Sequence, residues 1–157
     1  MRLVIQRVKK ASVKVDGKIV GQVGQGLVVF LGVGKKDKKI KNEKLKMKNF
    51  AEKIINLRIF EAKNSYFDKS LLDIAGEVLV VPQFTLYADT SKGRRPYFGS
   101  AAKPKIAKPL FEKFVEILKE KGVKVEKGQF GAKMEVELIN DGPVTIILDS
   151  NAVKKNG

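Results

Sequence analysis

The first third of the chain alternates apolar and polar residues with a period of two, which is the pattern of half-buried β-strands. Turn residues interrupt this alternation at Asp16-Gly17 and again at Gly24-Gln25-Gly26. The pattern predicts an antiparallel meander of four strands, over residues 3–8, 11–15, 19–23 and 27–33.

Two later stretches carry apolar residues at helical intervals, with lysines between them. The first covers about residues 37–57 and places Met47 and Phe50 on one face. The second covers residues 107–121 and stops before Gly122, and glycine is the residue type that often follows the last turn of a helix. Both patterns predict amphipathic helices that pack on the sheet.

The rest of the chain adds shorter strands and polar connections. Residues 77–85 begin with an almost continuous run of valine and leucine, which predicts a strand buried on both faces. Residues 62–70 predict a polar loop, and residues 151–157 predict a polar tail. Further strands are predicted at residues 58–60, 124–127, 134–140 and 144–148. The sequence therefore predicts an α+β fold in a single domain of residues 1–150, with a mostly antiparallel sheet or barrel and two packed helices.

The segment Asn140-Asp141-Gly142-Pro143-Val144-Thr145 lies between the last two predicted strands. Asp-Gly between alternating strands is typical of a two-residue hairpin turn, because both central residues need positive φ. Pro143 has no N–H for the sheet and is tolerated only at an edge, a strand start or a bulge. Only about one X-Pro bond in twenty is cis in folded proteins. The spacing alone predicts a plain hairpin tip.

The chain contains neither histidine nor cysteine. This excludes Ser-His and Cys-His nucleophilic pairs, zinc sites of the Cys/His kind and disulfides. An enzyme with this composition must use hydroxyls, carboxylates, lysines, backbone amides or groups of its own substrate. The longest apolar runs have the length of a strand, and the first seven residues lack the apolar core of a signal peptide, so we expect a cytoplasmic protein without a membrane span.

The chain is strongly basic, with 32 Lys and Arg against 17 Asp and Glu, a net charge of +15. A positive field of this size attracts polyanions, which favours a nucleic-acid partner. The alternative is that the lysines, eight of them within residues 35–48, form ordinary solvated helix faces of a thermophile-like composition.

Three short segments are candidate sites. In residues 82–86 a buried strand ends in an amide, an aromatic ring and a hydroxyl, an arrangement that can hold a reactive group with backbone N–H groups beside it. The alternative is a strand end at which Thr85 bonds to backbone. Residues 91–98 combine glycine, three cations and two aromatic rings, which suits phosphate contact and base stacking or an ordinary solvated loop. Residues 128–132 place Phe130 between glycines, and this segment either forms the wall of a pocket or simply turns the chain.

From residue 1 to about residue 150 the chain resembles the D-aminoacyl-tRNA deacylases, also called D-tyrosyl-tRNA deacylases. Each shared motif is weak alone, and together they occur in the family's order and at its spacing. Where the family motif usually begins with serine, this chain has Pro82. The motifs are Gln83-Phe84-Thr85-Leu86-Tyr87-Ala88-Asp89, Lys92-Gly93-Arg94-Arg95-Pro96, Phe130-Gly131-Ala132 and Asn140-Asp141-Gly142-Pro143-Val144-Thr145.

The resemblance implies a homodimer that hydrolyses the ester between a D-amino acid and the terminal adenosine of tRNA, and that also clears mischarged glycine. It implies no metal and no cofactor. In the family the Gly-Pro pair, here Gly142-Pro143, is cis and enters the partner subunit's active site, where it excludes L-amino acids. Phe130 and Met134 match positions near the substrate.

The resemblance also implies the roles of the remaining motif residues. Gln83, Phe84 and Thr85 orient the ester while the tRNA 2′-hydroxyl assists its cleavage. Thr85 is alternatively a nucleophile, although a threonine without a neighbouring base is a poor one. Lys92, Arg94 and Arg95 are expected to contact tRNA. The rival hypothesis is a basic RNA-binding module without catalytic activity.

Overall fold

The computed structural model describes residues 1–39 and 43–150. This part of the chain forms eight strands and two α-helices, with 3-10 turns at Asp37–Lys39 and Phe84–Tyr87. The elements are β1 Arg2–Val15, β2 Lys18–Val23, β3 Gly26–Gly32, α1 Glu43–Asn56, β4 Phe60–Ala62, β5 Ser65–Lys69, β6 Glu77–Pro82, α2 Pro104–Lys119, β7 Lys124–Lys127 and β8 Glu135–Asp149.

Six of the strands form one mixed sheet in the order β2-β1-β3-β6-β7, with β8 paired to the other side of β1. The long strand β1 pairs with β3 through its first half and with β2 through its second half. These pairs are antiparallel, as is β1 with β8, whereas β3-β6 and β6-β7 are parallel. A Cβ built on Gly21 of β2 would lie 2.7 Å from the Lys127 carbonyl oxygen of β7, so the two edges nearly meet and the sheet is nearly a barrel.

The predicted α+β class and the two packed helices are confirmed, but the simple meander is wrong. Strand β3 lies beside β1 rather than beside β2. The reason is that β1 is long enough to pair with two strands in succession. Both parallel connections then cross over through a helix, α1 between β3 and β6 and α2 between β6 and β7, as parallel pairing requires.

The main core lies between the parallel strands and the two helices. Met47 and Ile54 of α1 and Phe111 and Phe114 of α2 are almost fully buried against it. The helix predicted at residues 107–121 begins at Pro104, because proline fits the first turn of a helix. No helix in the described residues is long and apolar enough to span a membrane.

Two other predicted segments differ from the structure. Residues 62–70, predicted as a loop, belong largely to the β4-β5 hairpin, in which Arg58 fixes the second strand through Asp68 with N–O distances of 2.5 Å. The strand predicted for residues 77–85 ends at Pro82, and Phe84–Tyr87 form a 3-10 turn instead. Parts of two predictions, residues 40–42 of the first helix and the tail at residues 151–157, lie outside the described residues.

The hairpin predicted around residues 140–145 is also wrong, because β8 runs continuously from Glu135 to Asp149. Between the pairs Gln6-Thr145 and Val8-Asn140, β1 advances two residues while β8 advances five, so β8 bulges outward. A bulge accommodates a proline that a regular ladder would reject. The Gly142-Pro143 peptide bond is cis, as the family resemblance implies.

Candidate active site

A cavity of about 520 Å³ opens at the carboxyl ends of the parallel strands β3 and β6. This edge of a parallel sheet is where open α/β structures commonly bind ligands. We call it the site cavity. Among the residues that the structure describes, Gln83 is the single lining residue with a polar side chain, and none of those that line the cavity is ionisable. The lining residues are Leu31, Val33, Val81, Pro82, Gln83, Phe84, Ala102, Pro104, Ala107, Phe111, Phe130, Gly131, Ala132, Met134 and Val136.

Four of the residues singled out from the sequence converge on this cavity, although two motifs far apart in the chain supply them. Gln83 and Phe84 line it from the end of β6, and Phe130 and Met134 line it from the segment before β8. Gly128 lets these segments pack closely, because a Cβ there would lie 2.8 Å from the Met134 sulfur and 3.3 Å from Cδ of Pro82. The convergence makes the cavity the candidate site, and the roles of the four residues stay predictions.

Thr85 lies beside the cavity rather than in its lining, and its side chain is exposed. Its hydroxyl accepts a hydrogen bond from the Gln83 side-chain amide. An amide cannot remove a proton from the hydroxyl, and among the described residues no carboxylate or amine bonds to Thr85. The backbone N–H groups of Phe84 and Thr85 have no acceptor within this part of the chain. The turn therefore offers two backbone hydrogen-bond donors beside the cavity.

An exposed aromatic ring at the cavity contacts the end of a basic loop. Phe84 is 57% exposed and stacks edge-on against Phe98, with ring centroids 5.1 Å apart. Phe98 follows the basic loop at residues 89–97, which paired backbone bonds between Asp89 and Tyr97 close at 2.8 and 2.9 Å. The three predicted tRNA-contacting residues of this loop are exposed, and none forms an ion pair within the described structure; they are Lys92, Arg94 and Arg95.

Gly142 and Pro143 do not line the site cavity of their own chain. Both are exposed on the β8 bulge. Gly142 has φ of 125°, and a Cβ there would lie 2.6 Å from the Tyr66 hydroxyl and 2.9 Å from an Arg7 guanidinium nitrogen. Glycine is thus required by both backbone conformation and space. Pro143 is therefore accessible from outside the chain that carries it.

Arg7 fixes this bulge, and the sequence analysis missed it. Its side chain is 1% exposed and donates to the Asp141 carbonyl at 3.0 Å, the Ile59 carbonyl at 2.6 Å and the Tyr66 hydroxyl at 3.1 Å. The guanidinium also lies 4.9 Å from the Tyr66 ring centroid. Leu3 and Ile5 of β1 point inward, and alternate residues of a strand face the same side, so the strand pattern alone predicts a buried Arg7.

Within the described residues, no three His, Cys, Asp or Glu side chains come together in a way that could hold a metal ion. The cavity offers an apolar volume, one amide side chain and unbonded backbone N–H groups at its edge. Such a site can bind an apolar group and stabilise a developing negative charge on a neighbouring carbonyl.

Comparison with known proteins gives a consistent result along the whole fold. A family model described as D-Tyr-tRNA(Tyr) deacylase matches residues 4–149. Two curated relatives, from Thermosipho africanus and Aquifex aeolicus, are each named D-aminoacyl-tRNA deacylase. The chain is 57% identical to the first over 153 residues, covering 98% of this chain and 99% of the relative. It is 58% identical to the second over 153 residues, covering 98% of this chain and 100% of the relative.

A solved structure is also similar. It is described as c-Myc DNA Unwinding Element Binding Protein, and it superimposes with a TM-score of 0.84 at 36% identity. The match covers 96% of this chain and 99% of that one. The sheet, both helices and the edge that carries the site cavity therefore belong to an architecture that these proteins share.

Proposed function

We propose that this chain, which belongs to the D-Tyr-tRNA(Tyr) deacylase family, hydrolyses the ester of D-aminoacyl-tRNA and releases the free D-amino acid and tRNA. As a member of this family the chain is a D-aminoacyl-tRNA deacylase, an ester hydrolase. We place the reaction in the cytoplasm, as chiral proofreading in translation quality control. The observation that carries the proposal is the apolar cavity in which both sequence motifs meet.

Catalysis in this proposal rests on positioning and on backbone electrostatics. The amino acid's side chain occupies the cavity, and its ester carbonyl lies near the Phe84 and Thr85 N–H groups, which are free to donate. The substrate's own 2′-hydroxyl assists cleavage, because no lining residue is a base. Donors that are already oriented stabilise the tetrahedral oxyanion without the cost of reorganisation. This scheme fits a chain without histidine or cysteine.

Chiral selection in this proposal requires a homodimer. The Gly142-Pro143 bulge of one subunit enters the site cavity of the other and occupies the direction in which an L side chain would leave Cα. Its exposure and its rigid support by Arg7 suit this role. A D side chain leaves in the other direction, and glycine has no side chain to collide, so mischarged glycyl-tRNA is admitted.

The direct test is incubation of the protein with D-tyrosyl-tRNA, L-tyrosyl-tRNA and glycyl-tRNA. We expect rapid loss of the D-tyrosyl and glycyl esters and persistence of the L-tyrosyl ester. Equal cleavage of both tyrosyl enantiomers would contradict the chiral filter while leaving the hydrolase intact. Binding of all three tRNAs without turnover would favour a basic nucleic-acid-binding module. The net charge of +15 and the DNA binding named in the description of the solved relative suggest this alternative.

The role of Thr85 is tested by Thr85→Ala. We expect kcat/KM for D-tyrosyl-tRNA to stay within about tenfold of wild type, because the hydroxyl only bonds to Gln83 and has no base beside it. Loss of a true nucleophile costs on the order of 10⁴-fold or more. Thr90→Ala, which removes another exposed hydroxyl outside the cavity, is the matched control. A folded Thr85→Ala protein without measurable activity would make Thr85 the nucleophile.

A further inference from the structure

A second depression, of about 270 Å³, lies at the same edge of the sheet as the site cavity. Neighbouring residues line the two spaces: Val33 faces the site cavity and Gly34 the depression. Likewise the 3-10 turn contributes Phe84 to the cavity and Tyr87 to the depression. We call this depression the lysine cleft; its walls include Arg2, Gly34, Lys35, Lys36, Tyr87 and Ser100.

Lys35 and Lys36 occupy the two central positions of a closed four-residue turn. The Asp37 N–H donates to the Gly34 carbonyl at 3.1 Å, and the Gly34 N–H donates to the Asp37 carboxylate at 2.7 Å. The Lys35 N–H also donates to the Ser100 carbonyl at 2.9 Å. Three bonds therefore fix the backbone that presents the two lysines, which lowers the cost of ordering them around a ligand.

The cations of the cleft are not neutralised locally. Lys35 and Lys36 are exposed, and neither forms an ion pair within residues 1–39 and 43–150. Arg2 is held on the wall, where it donates to the Asp149 carboxylate at 2.9 Å and to the Leu86 carbonyl at 2.7 Å. The two lysines thus place two uncompensated positive charges beside the site cavity.

Asp37, the acidic residue that lines the cleft, is buried and already engaged. Its carboxylate accepts hydrogen bonds from the Gly34 N–H, the Met1 amino group and the Ser150 hydroxyl. Burial raises the pKa of the neighbouring Tyr87 hydroxyl, so this group stays uncharged at neutral pH. The net charge presented to a ligand in the cleft is therefore positive.

Gly34 and Gly99 line the cleft, and neither has a Cβ that would keep a ligand from its backbone. A Cβ on Gly34 would lie 2.7 Å from a Tyr87 ring atom, and one on Gly99 would lie 2.2 Å from the Tyr97 ring. Glycine is therefore required at Gly34, where the Tyr87 ring is buried, whereas the Tyr97 ring beside Gly99 is 69% exposed and can move. A compact tetrahedral anion can approach the backbone and the exposed Ser100 side chain closely.

We propose that the lysine cleft binds a backbone phosphate of the single-stranded 3′ end of tRNA, close to the nucleotide whose ester occupies the site cavity. This inference rests on the proposed function, since that function places the 3′ terminus in the adjoining cavity. The RNA strand must leave the cavity across its rim, and each of its nucleotides carries one negatively charged phosphate. Phosphate contacts fix register without reading sequence, which suits an enzyme that acts on tRNAs charged with different amino acids.

The test removes both charges with Lys35→Ser/Lys36→Ser and measures binding of uncharged tRNA across a salt series. For single strands, each phosphate contact contributes about 0.7 to the slope of log affinity against log salt. Because the cleft neutralises one phosphate, we expect the magnitude of the slope to fall by about 0.7, so that wild type loses about 2.6-fold more affinity than the variant between about 50 and 200 mM salt. An unchanged slope would overturn the proposal.

The control Lys18→Ser/Lys53→Ser removes two exposed, unpaired lysines, one on β2 and one in the last turn of α1. We expect it to leave the slope as in wild type. If both variants lower the slope equally, the effect is one of overall charge and the cleft is not a site. The melting temperatures of both double variants should match wild type, because none of these four lysines is buried.

A kinetic comparison separates the cleft from the chemistry. D-Tyrosyl-tRNA and D-tyrosyl-adenosine carry the same ester, but only the first carries backbone phosphates. We expect the ratio of kcat/KM for D-tyrosyl-tRNA to kcat/KM for D-tyrosyl-adenosine to be lower in Lys35→Ser/Lys36→Ser than in wild type at about 50 mM salt, and this difference to shrink about 2.6-fold at about 200 mM. If wild type cleaves both and the ratio is unchanged, the cleft proposal fails alone. If wild type cleaves neither, the proposed function fails, while the salt slope still decides whether the cleft binds phosphate.

Discussion

Replacing Ala132 with phenylalanine should lower kcat/KM for D-tyrosyl-tRNA by on the order of a hundredfold or more. Ala132 lines the site cavity from the segment before β8, and its side chain is half-buried there. A phenyl ring at this position enters the volume assigned to the amino acid. A displacement of the ester by about 1 Å from its donors is enough for a loss of this size. Single-turnover deacylation measures it, with D-tyrosyl-tRNA as substrate.

The matched control is Gln129→Phe, which adds the same ring at the other end of the same turn. The Ala132 N–H donates to the Gln129 carbonyl at 3.3 Å, so the two residues are the last and first of one turn. Gln129 is exposed and does not line the cavity. We expect Gln129→Phe to retain activity. We expect the unfolding midpoints of both variants to be close to that of wild type. Full activity in Ala132→Phe would show that the substrate binds elsewhere.

The parts of the fold that the sequence predicted well are those in which local pattern and tertiary burial agree. Strand β6 was predicted from its run of valine and leucine, and it is buried on both faces. Helix α2 was predicted from its wide apolar stripe, which the structure packs on the core. In both elements the apolar pattern is compatible with a single type of secondary structure and burial. Their prediction therefore does not depend on which distant residues they contact.

The errors concern pairings that depend on residues far away in the chain. Asp141-Gly142 is a sound hairpin signal, but β1 is long enough to pair with β8 on both sides of the bulge, and this removes the hairpin. Likewise the order β2-β1-β3 depends on the length of β1 and not on any local pattern. Local turn preferences are weak compared with the hydrogen bonds and burial of a continuous ladder.

The candidate site was reached in two different ways. Residue types alone make the segments around Gln83 and Phe130 candidate sites, the family resemblance assigns their roles, and the structure brings both segments to one cavity. The lysine cleft could not be predicted, because its walls come from the start of β1, the turn after β3 and the loop before α2. Lys35 and Lys36 differ from other exposed lysines, such as Lys18 and Lys53, in that they line the cleft beside the site cavity, and no sequence pattern carries that information.

Arg7→Met should have the largest effect on stability, lowering the free energy of unfolding by about 2 to 4 kcal/mol. The substitution keeps a long side chain but removes the donors to two backbone carbonyls, of Ile59 and Asp141. Charge-assisted hydrogen bonds contribute about 1.5 to 3 kcal/mol each, and a buried acceptor left without a donor is costly. The ion-pair partners Glu61 and Asp141 are 60% and 30% exposed, so water can solvate their charges. Chemical denaturation measures the loss.

The comparison of Arg7→Met with Arg58→Met and Arg7→Lys identifies the cause. Arg58 is 68% exposed and paired with Asp68, so its replacement should cost no more than about 1 kcal/mol. Arg7→Lys keeps the charge but not the planar fork that reaches acceptors in three directions, so we expect most of the loss to remain. Since Arg7 holds the Asp141 carbonyl next to Gly142, its loss should also loosen the bulge and reduce discrimination between D- and L-tyrosyl-tRNA. Full stability in Arg7→Lys would show that charge alone, rather than the geometry of the bulge, is what Arg7 supplies.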